Sequence, residues 1–183
     1  GTAINLFVRD MPRLSVDIDL VYKKWHTPRK QALEEISSEL DAIEQRLSKL
    51  NLRIRKVRSA EIGVHKLLIE NDQIQVKVEV NFIFRGSVLP IETRSLSSKT
   101  AALFSVDLRV PTLAVDELYA GKLVAAMDRQ HPRDLFDVWQ LFKTDGLSDS
   151  IMECFVTYLA GHNRPIHEIL FGNEKNIAND YQS

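Results

Sequence analysis

The chain reads as an α+β protein, a mixed sheet with flanking helices followed by a helical C-terminal part. Three observations predict this. A long stretch from Thr27 to Leu50 carries apolar residues at helical spacing, the segments between Leu52 and Phe84 alternate with a period near two, and the helical period returns from Thr112 onward.

The elements follow in order. "TAINLFV", Thr2 to Val8, predicts a short helix whose Gly-Thr start leaves free N–H groups at its N-terminus. After the turn "RDMPR", the stretch "RLSVDIDLVY" reads as a strand, with Val16, Ile18 and Leu20 on one face and Asp17 and Asp19 on the other. Thr27 is a suitable N-cap and Pro28 a suitable first residue for the long helix, where Leu33, Ile36, Leu40, Ile43, Leu47 and Leu50 recur at three and four. "LRIRKV" and "HKLLIE" predict strands, and Asn71-Asp72 turns the chain into "QIQVKVEVNFIF". In that strand Ile74, Val76, Val78, Val80 and Phe82 share one face, and Gln75, Lys77, Glu79 and Asn81 the other. "PIETR" and "FSVDLRV" read as short extended pieces. Three helices are then predicted, "TLAVDELYAGKLVAAMDR", "RDLFDVWQLFK" ended by Gly146, and "DSIMECFVTYLAG" ended by Gly161. The expected division is a core of residues 1–111 and a helical part of residues 112–183.

Bulk properties exclude several classes. At 183 residues, 44% hydrophobic and 27% charged, the composition is that of an ordinary globular protein. A net charge of −1 is unlike a strongly basic nucleic-acid protein, although local patches remain open. One cysteine, Cys154, makes no disulfide framework, so a reducing cytoplasm is the expected home. No run of about 18 apolar residues is present. The chain starts at Gly1 without a methionine, and residues before it are expected in the natural protein.

Asp17 and Asp19 stand side by side on a strand, where like charges repel and aspartate is a poor strand former. Glu79 lies mid-strand on a later polar face. Three converging carboxylates would suit Mg²⁺ or Mn²⁺, completed by substrate phosphates; the alternative is the wetted face of a half-exposed sheet. Lys122 sits in a helix among Leu118, Tyr119, Ala125 and Ala126, and Gly121 before it would admit a neighbouring backbone. It is either a cation for triphosphate or a lysine extending from a buried helix. In "RQHPRDLFD", Asp134 suits the first turn of a helix begun by Pro132 and shares a face with Asp137. Asp134 is the expected orienting partner of Lys122 or Arg133. His131 reads as a loop residue, and no His/Cys spacing supports zinc. "RIRKVR", Arg53 to Arg58, is either a solvated strand face or a track for an RNA backbone. Trp25 and Trp139 are expected to fill core or junction space.

The stretches "GTAINLFVRDMPRLSVDIDLVY", "VEVNF", "ELYAGKLVAAMDRQHPRDLFDVW" and "YLAGHNRPIHEIL" resemble the AbiEii/AbiGii-type toxins of abortive-infection systems, within the nucleotidyltransferase β superfamily. The resemblance runs over almost all of the chain and is most specific from Glu117 to Trp139. It departs at the start, where a second glycine usually precedes the position of Gly1, and at the end, where family members extend further. It implies a metal-dependent nucleotidyltransferase in which Asp17 and Asp19 bind the metal ions and Glu79 is the third acid. Gly1, Thr2 and Ser15 would hold phosphate oxygens, and Lys122 and Arg133 the nucleotide, with Asp134 in the same site. It also implies an NTP substrate, an acceptor such as transfer RNA, a cognate antitoxin and a role in phage defence.

Two other readings stay beside this one. A nucleotide-binding module with little turnover would have been free to lose the acids at 17, 19 and 79. A D-x-D glycosyltransferase would place alternating βα units before the motif, whereas one short helix precedes it here.

Overall fold

The computed structural model describes residues 1–177 apart from Val16 and Ile83, so those two positions of the anticipated strands lie outside the described residues. The chain forms two compact units. One comprises Thr2 and residues 14–86; the other comprises Gly1, residues 3–13 and residues 87–183.

Among the described residues the first unit is a four-stranded sheet backed by one long helix, which ends in a short 3-10 turn over Ser48–Leu50. Strands β1 (Ile18–Val21), β2 (Arg53–Ser59), β3 (Gly63–Glu70) and β4 (Gln75–Asn81) lie in the order β1-β4-β3-β2. β1 runs parallel to β4, and the other pairs are antiparallel. Ile18 lies opposite Val78, Asp19 opposite Glu79 and Leu20 opposite Val80, so the alternation of the two sequences is in register and sorts apolar from acidic faces. The apolar face receives α1 (Arg29–Leu47). Ile36 and Leu40 pack there against Val64, Leu67, Val78 and Val80. Full burial of a side chain such as Leu40 or Leu67 stabilises by about 1.5–3 kcal/mol.

Local chemistry sets the connections. Asn71 closes the β3–β4 turn, its Oδ1 accepting from the N–H groups of Gln73 and Ile74. The anticipated Thr27 cap is corrected: α1 starts one residue later than expected, with Pro28 at the cap and no side-chain capping bond. Thr27 is engaged elsewhere, its carbonyl accepting from Arg85 Nη1 at 2.7 Å.

Among the described residues the second unit gathers a π-helical turn (Ile4–Val8), the hairpin of β5 (Glu92–Ser95) and β6 (Arg109–Thr112), and five helices. These are α2 (Ser98–Phe104), α3 (Val115–Arg129), α4 (Pro132–Thr144), α5 (Asp149–Ala160) and α6 (Ile166–Leu170). Ile4, Tyr119, Ala120, Leu141, Ile151 and Cys154 form its core. Arg9 ties the N-terminal turn to this unit by donating from Nε to Tyr119 Oη and from Nη2 to Thr144 Oγ1, each at 2.7 Å, and by pairing with Asp145. Glu117 is 1% exposed and accepts from the backbone N–H groups of Val88 and Leu89 and from Tyr158 Oη.

Other expectations also need correction. Only the end of "FSVDLRV" is a strand: Phe104 closes a helix over Ser98–Phe104, which Ser97 caps by accepting from Thr100 N, Ser105 turns the chain in a left-handed conformation, and pairing begins at Arg109 in Arg109–Thr112. Gly121 has no atom within 4 Å of the place a Cβ would take, so it admits no neighbouring backbone. Trp25 and Trp139 are 59% and 52% exposed rather than core residues. Trp139 lies on the outer side of α4 beside Phe136 and under Lys143 Nζ, and Trp25 covers Gly86.

Candidate active site

The candidate residues fall into two clusters, one in each unit. In the sheet unit, the last residue before β1 is Asp17, and β1 itself carries Asp19. Glu79 stands directly opposite Asp19 across the parallel β1–β4 pair, on the sheet face away from α1. Asp17 closes on the same strand: its Oδ1 accepts from Lys77 N at 3.3 Å and its Oδ2 lies 3.5 Å from Lys77 Nζ. Glu79 approaches the same ammonium at 3.5 Å and meets Lys66 Nζ at 3.3 Å. Thr2 donates its hydroxyl to the Asp17 carbonyl and lies 3.2 Å from Ser15 Oγ, so two hydroxyls flank the acidic strand.

Among the described residues no three carboxylate, histidine or cysteine groups gather tightly enough to hold a metal. The donor chemistry nonetheless suits a hard divalent cation. It is all oxygen, it comes from adjacent backbones held in register, and its two nearer carboxylates already turn toward one positive charge, the ammonium of Lys77. Lys77 itself is partly desolvated, which alone lowers its pKa; the carboxylates of Asp17, Glu79 and Asp19 outweigh that and raise it.

In the helical unit, α3 and α4 bring Lys122 and Asp134 together. Lys122 Nζ donates to Asp134 Oδ1 at 2.6 Å and lies 3.4 Å from Asp137 Oδ2. Both carboxylates are about 1% exposed and the lysine 12%. Burial alone would raise the pKa of Asp134, but the Arg129 Nε–H bond at 2.5 Å and the Lys122 ammonium bring it down to about 2. Asp137 is held by Arg13 through two bonds, Nε to Oδ1 at 2.9 Å and Nη2 to Oδ2 at 2.5 Å. Asn5, fully buried, donates to the Gly1 carbonyl at 3.0 Å and lies 3.5 Å from Asp137 Oδ1.

Of the two partners expected for Asp134, Lys122 and not Arg133 bonds to it, and Arg129 is its second cation. The Arg133 side chain is exposed, and its backbone N–H donates to His131 Nδ1, which makes His131 the cap of α4. Gly1 accepts from Asn5 N at the start of the N-terminal turn. Sequence reasoning singled out neither Lys77 and Lys66 among the acids nor the Arg13–Asp137 pair. The alternation of β4 placed Lys77 beside Glu79, a signal that was available. The Arg13–Asp137 pairing joins residues far apart in sequence and left no local trace. Surface concavities at residues 164–173 and 44–54 include none of these groups.

Paired acids on the open face of a mixed sheet, joined in one chain to a helical unit, are the build of a nucleotidyltransferase-type fold. The fold is similar to that of MenT4, a nucleotidyltransferase toxin from Mycobacterium tuberculosis H37Rv, with a TM-score of 0.65 and 17% identity over 96% of this chain. At that identity the likeness is one of fold, and the chain spans 62% of the length of that protein. The chain belongs to the family of AbiEii nucleotidyl transferase toxins of type IV toxin–antitoxin systems, whose model matches residues 1–182. No curated protein sequence matches it.

Proposed function

We propose that the protein is a metal-dependent nucleotidyltransferase that moves a nucleoside monophosphate from an NTP to a macromolecular acceptor, with transfer RNA favoured, and that it acts as the toxin of an abortive-infection pair held in check by a cognate antitoxin. The observation that carries this reading is the in-register placement of Asp19 opposite Glu79, with Asp17 turned to the same cation, in a chain of this family.

Asp17, Asp19 and Glu79 would hold Mg²⁺ or Mn²⁺, which supplies charge stabilisation at the phosphates. The remaining work belongs to the chain. Thr2 and Ser15 offer hydroxyl donors beside Asp17, and Gly1 backbone at the N-terminal turn. Lys122 supplies a fixed positive charge for the triphosphate. Asp134 fixes its position, because a buried ammonium bonded at 2.6 Å has lost most of its rotamer freedom before substrate arrives. Arg133, exposed at the start of α4, would add a guanidinium contact to the nucleotide beside the Lys122 ammonium. Neither cluster contains a Ser-His-Asp or Cys-His arrangement among the described residues, so in-line attack by an acceptor hydroxyl is the economical course. The exposed Arg53, Arg55 and Arg58 of β2 suit an RNA backbone.

Thermal unfolding tests the ligand half of this reading. Mg²⁺ or Mn²⁺ with an NTP is expected to raise Tm, since both bind the folded state alone. Asp17→Asn and Asp19→Asn are expected to abolish the rise while shifting the Tm of the metal-free protein little, because the Asp17–Lys77 pair is half-exposed and Asp19 is exposed. A full ligand-induced rise in both variants would remove these acids from the site.

A further inference from the structure

Two lysines stand among the carboxylates of the open sheet face, and the family resemblance assigns them nothing. Strand register fixes where they are. Asp19, Glu79, Lys66 and Val57 form one row across β1, β4, β3 and β2, and Lys77, Leu68 and Arg55 form the next row on the same face. Lys77 Nζ is 3.5 Å from Asp17 Oδ2 and equally 3.5 Å from Glu79 Oε2. Lys66 Nζ touches only Glu79, at 3.3 Å, among the ion pairs described. All four side chains are half-buried, between 26% and 46% exposed. Each contact is weak alone, as solvent screens it. The convergence is what matters: one ammonium occupies the point at which two carboxylates require a cation.

We propose that Lys77 is the resident counter-ion of the Asp17–Glu79 pair, so that a divalent cation must displace it to bind, and that the displaced ammonium then serves the phosphate oxygens of the nucleotide. This rests on the reading above in taking the ligand to be a metal–nucleotide complex. The physical argument has three parts. A cation already bound to the acids lowers the apparent affinity of a competing metal by the fraction of time the acids are occupied. A divalent ion and an ammonium cannot share the same carboxylates without repulsion, and the flexible four-carbon stem of lysine lets its charge move away. A triphosphate offers that charge a new partner, so nucleotide and metal each favour the other's binding, and by linkage the effect is reciprocal. Lys66, held by one carboxylate and not two, makes a smaller contribution of the same kind.

Mn²⁺ binding followed by the resonance signal of the free ion tests this on the full chain, with and without a non-hydrolysable NTP. Without nucleotide, Lys77→Met is expected to bind Mn²⁺ at least ~10-fold more tightly than the parent, and Lys77→Arg to stay within about 3-fold of it. Nucleotide is expected to improve Mn²⁺ affinity less in Lys77→Met than in the parent. Lys77→Gln repeats the measurement should Lys77→Met fail to fold. Unchanged or weaker Mn²⁺ binding in the folded variant overturns the inference, even if the parent transfers nucleotide. Tighter binding in a protein that transfers no nucleotide supports the counter-ion role and counts against the transferase reading. Mn²⁺ binding in no variant overturns both.

Discussion

Replacing Asp134 by Asn removes one negative charge from a nearly closed site without changing its shape. The carboxylate accepts from Lys122 Nζ at 2.6 Å and Arg129 Nε at 2.5 Å, and is 1% exposed. Its pKa is about 2, against the ordinary 3.8 of an aspartate. A difference of nearly two pKa units corresponds to about 2.4 kcal/mol of stability at neutral pH. The stranded Lys122, with Asp137 at 3.4 Å as its remaining carboxylate, pushes the cost toward about 3 kcal/mol. The sign follows from the direction of the shift. A depressed aspartate stabilises the fold fully above its unfolded value of about 3.8, and the contribution is lost as pH falls toward about 2. Urea unfolding of parent and Asp134→Asn at pH 7 and at pH 3 reads this directly. The expected gap is about 2–3 kcal/mol at pH 7 and roughly half that at pH 3. A gap below about 0.5 kcal/mol at pH 7, or one that does not narrow in acid, would refute the idea that this carboxylate is held by its two cations.

Glu117→Gln is expected to lower Tm by about 5–10 °C, because Glu117 accepts from two backbone N–H groups and Tyr158 Oη while buried, and the amide turns a donor toward one of them. A shift under about 2 °C would show the loop at Val88 to be held by other means. Gly86→Ala is expected to cost about 1–3 kcal/mol in urea unfolding, since φ is +90° and the new Cβ would meet Trp25 Cβ at 2.9 Å. Unchanged stability there would mean that the Trp25 loop yields freely.

How much of this was legible in the sequence depends on the range of the interaction. α1 was legible because Ile36 and Leu40 repeat at the period of the element that buries them. The acids were legible because strand parity alone puts Asp17 and Asp19 on the other face of the strand from Ile18 and Leu20. α2 was missed although Ser97 and Thr100 form its cap, because the following "FSVDLRV" alternates like a strand. The exposure of Trp139 was missed because an aromatic is read as core by type, whereas its place on α4 turns it away from Leu141 and the α3 contact. The company of Lys122 was legible only in part: Asp134 lies within one helical hairpin and is expected from the sequence, but Arg13 enters through Asp137, more than a hundred residues away. Pairings of that range are set by how helices dock, which no local pattern encodes.

The claim that the chain transfers nucleotides is tested most directly by incubating the full-length protein with Mg²⁺, an NTP labelled at the α-phosphate, and a mixture of cellular RNA and protein. The account predicts label in RNA, with transfer RNA favoured, lost in Asp17→Asn and reduced at least ~10-fold in Lys122→Ala. Removing Arg53, Arg55 and Arg58 is predicted to weaken RNA labelling and its salt dependence while sparing NTP binding. Label in no acceptor, from a protein that still binds NTP with metal, would contradict the account and leave a nucleotide-binding module in its place.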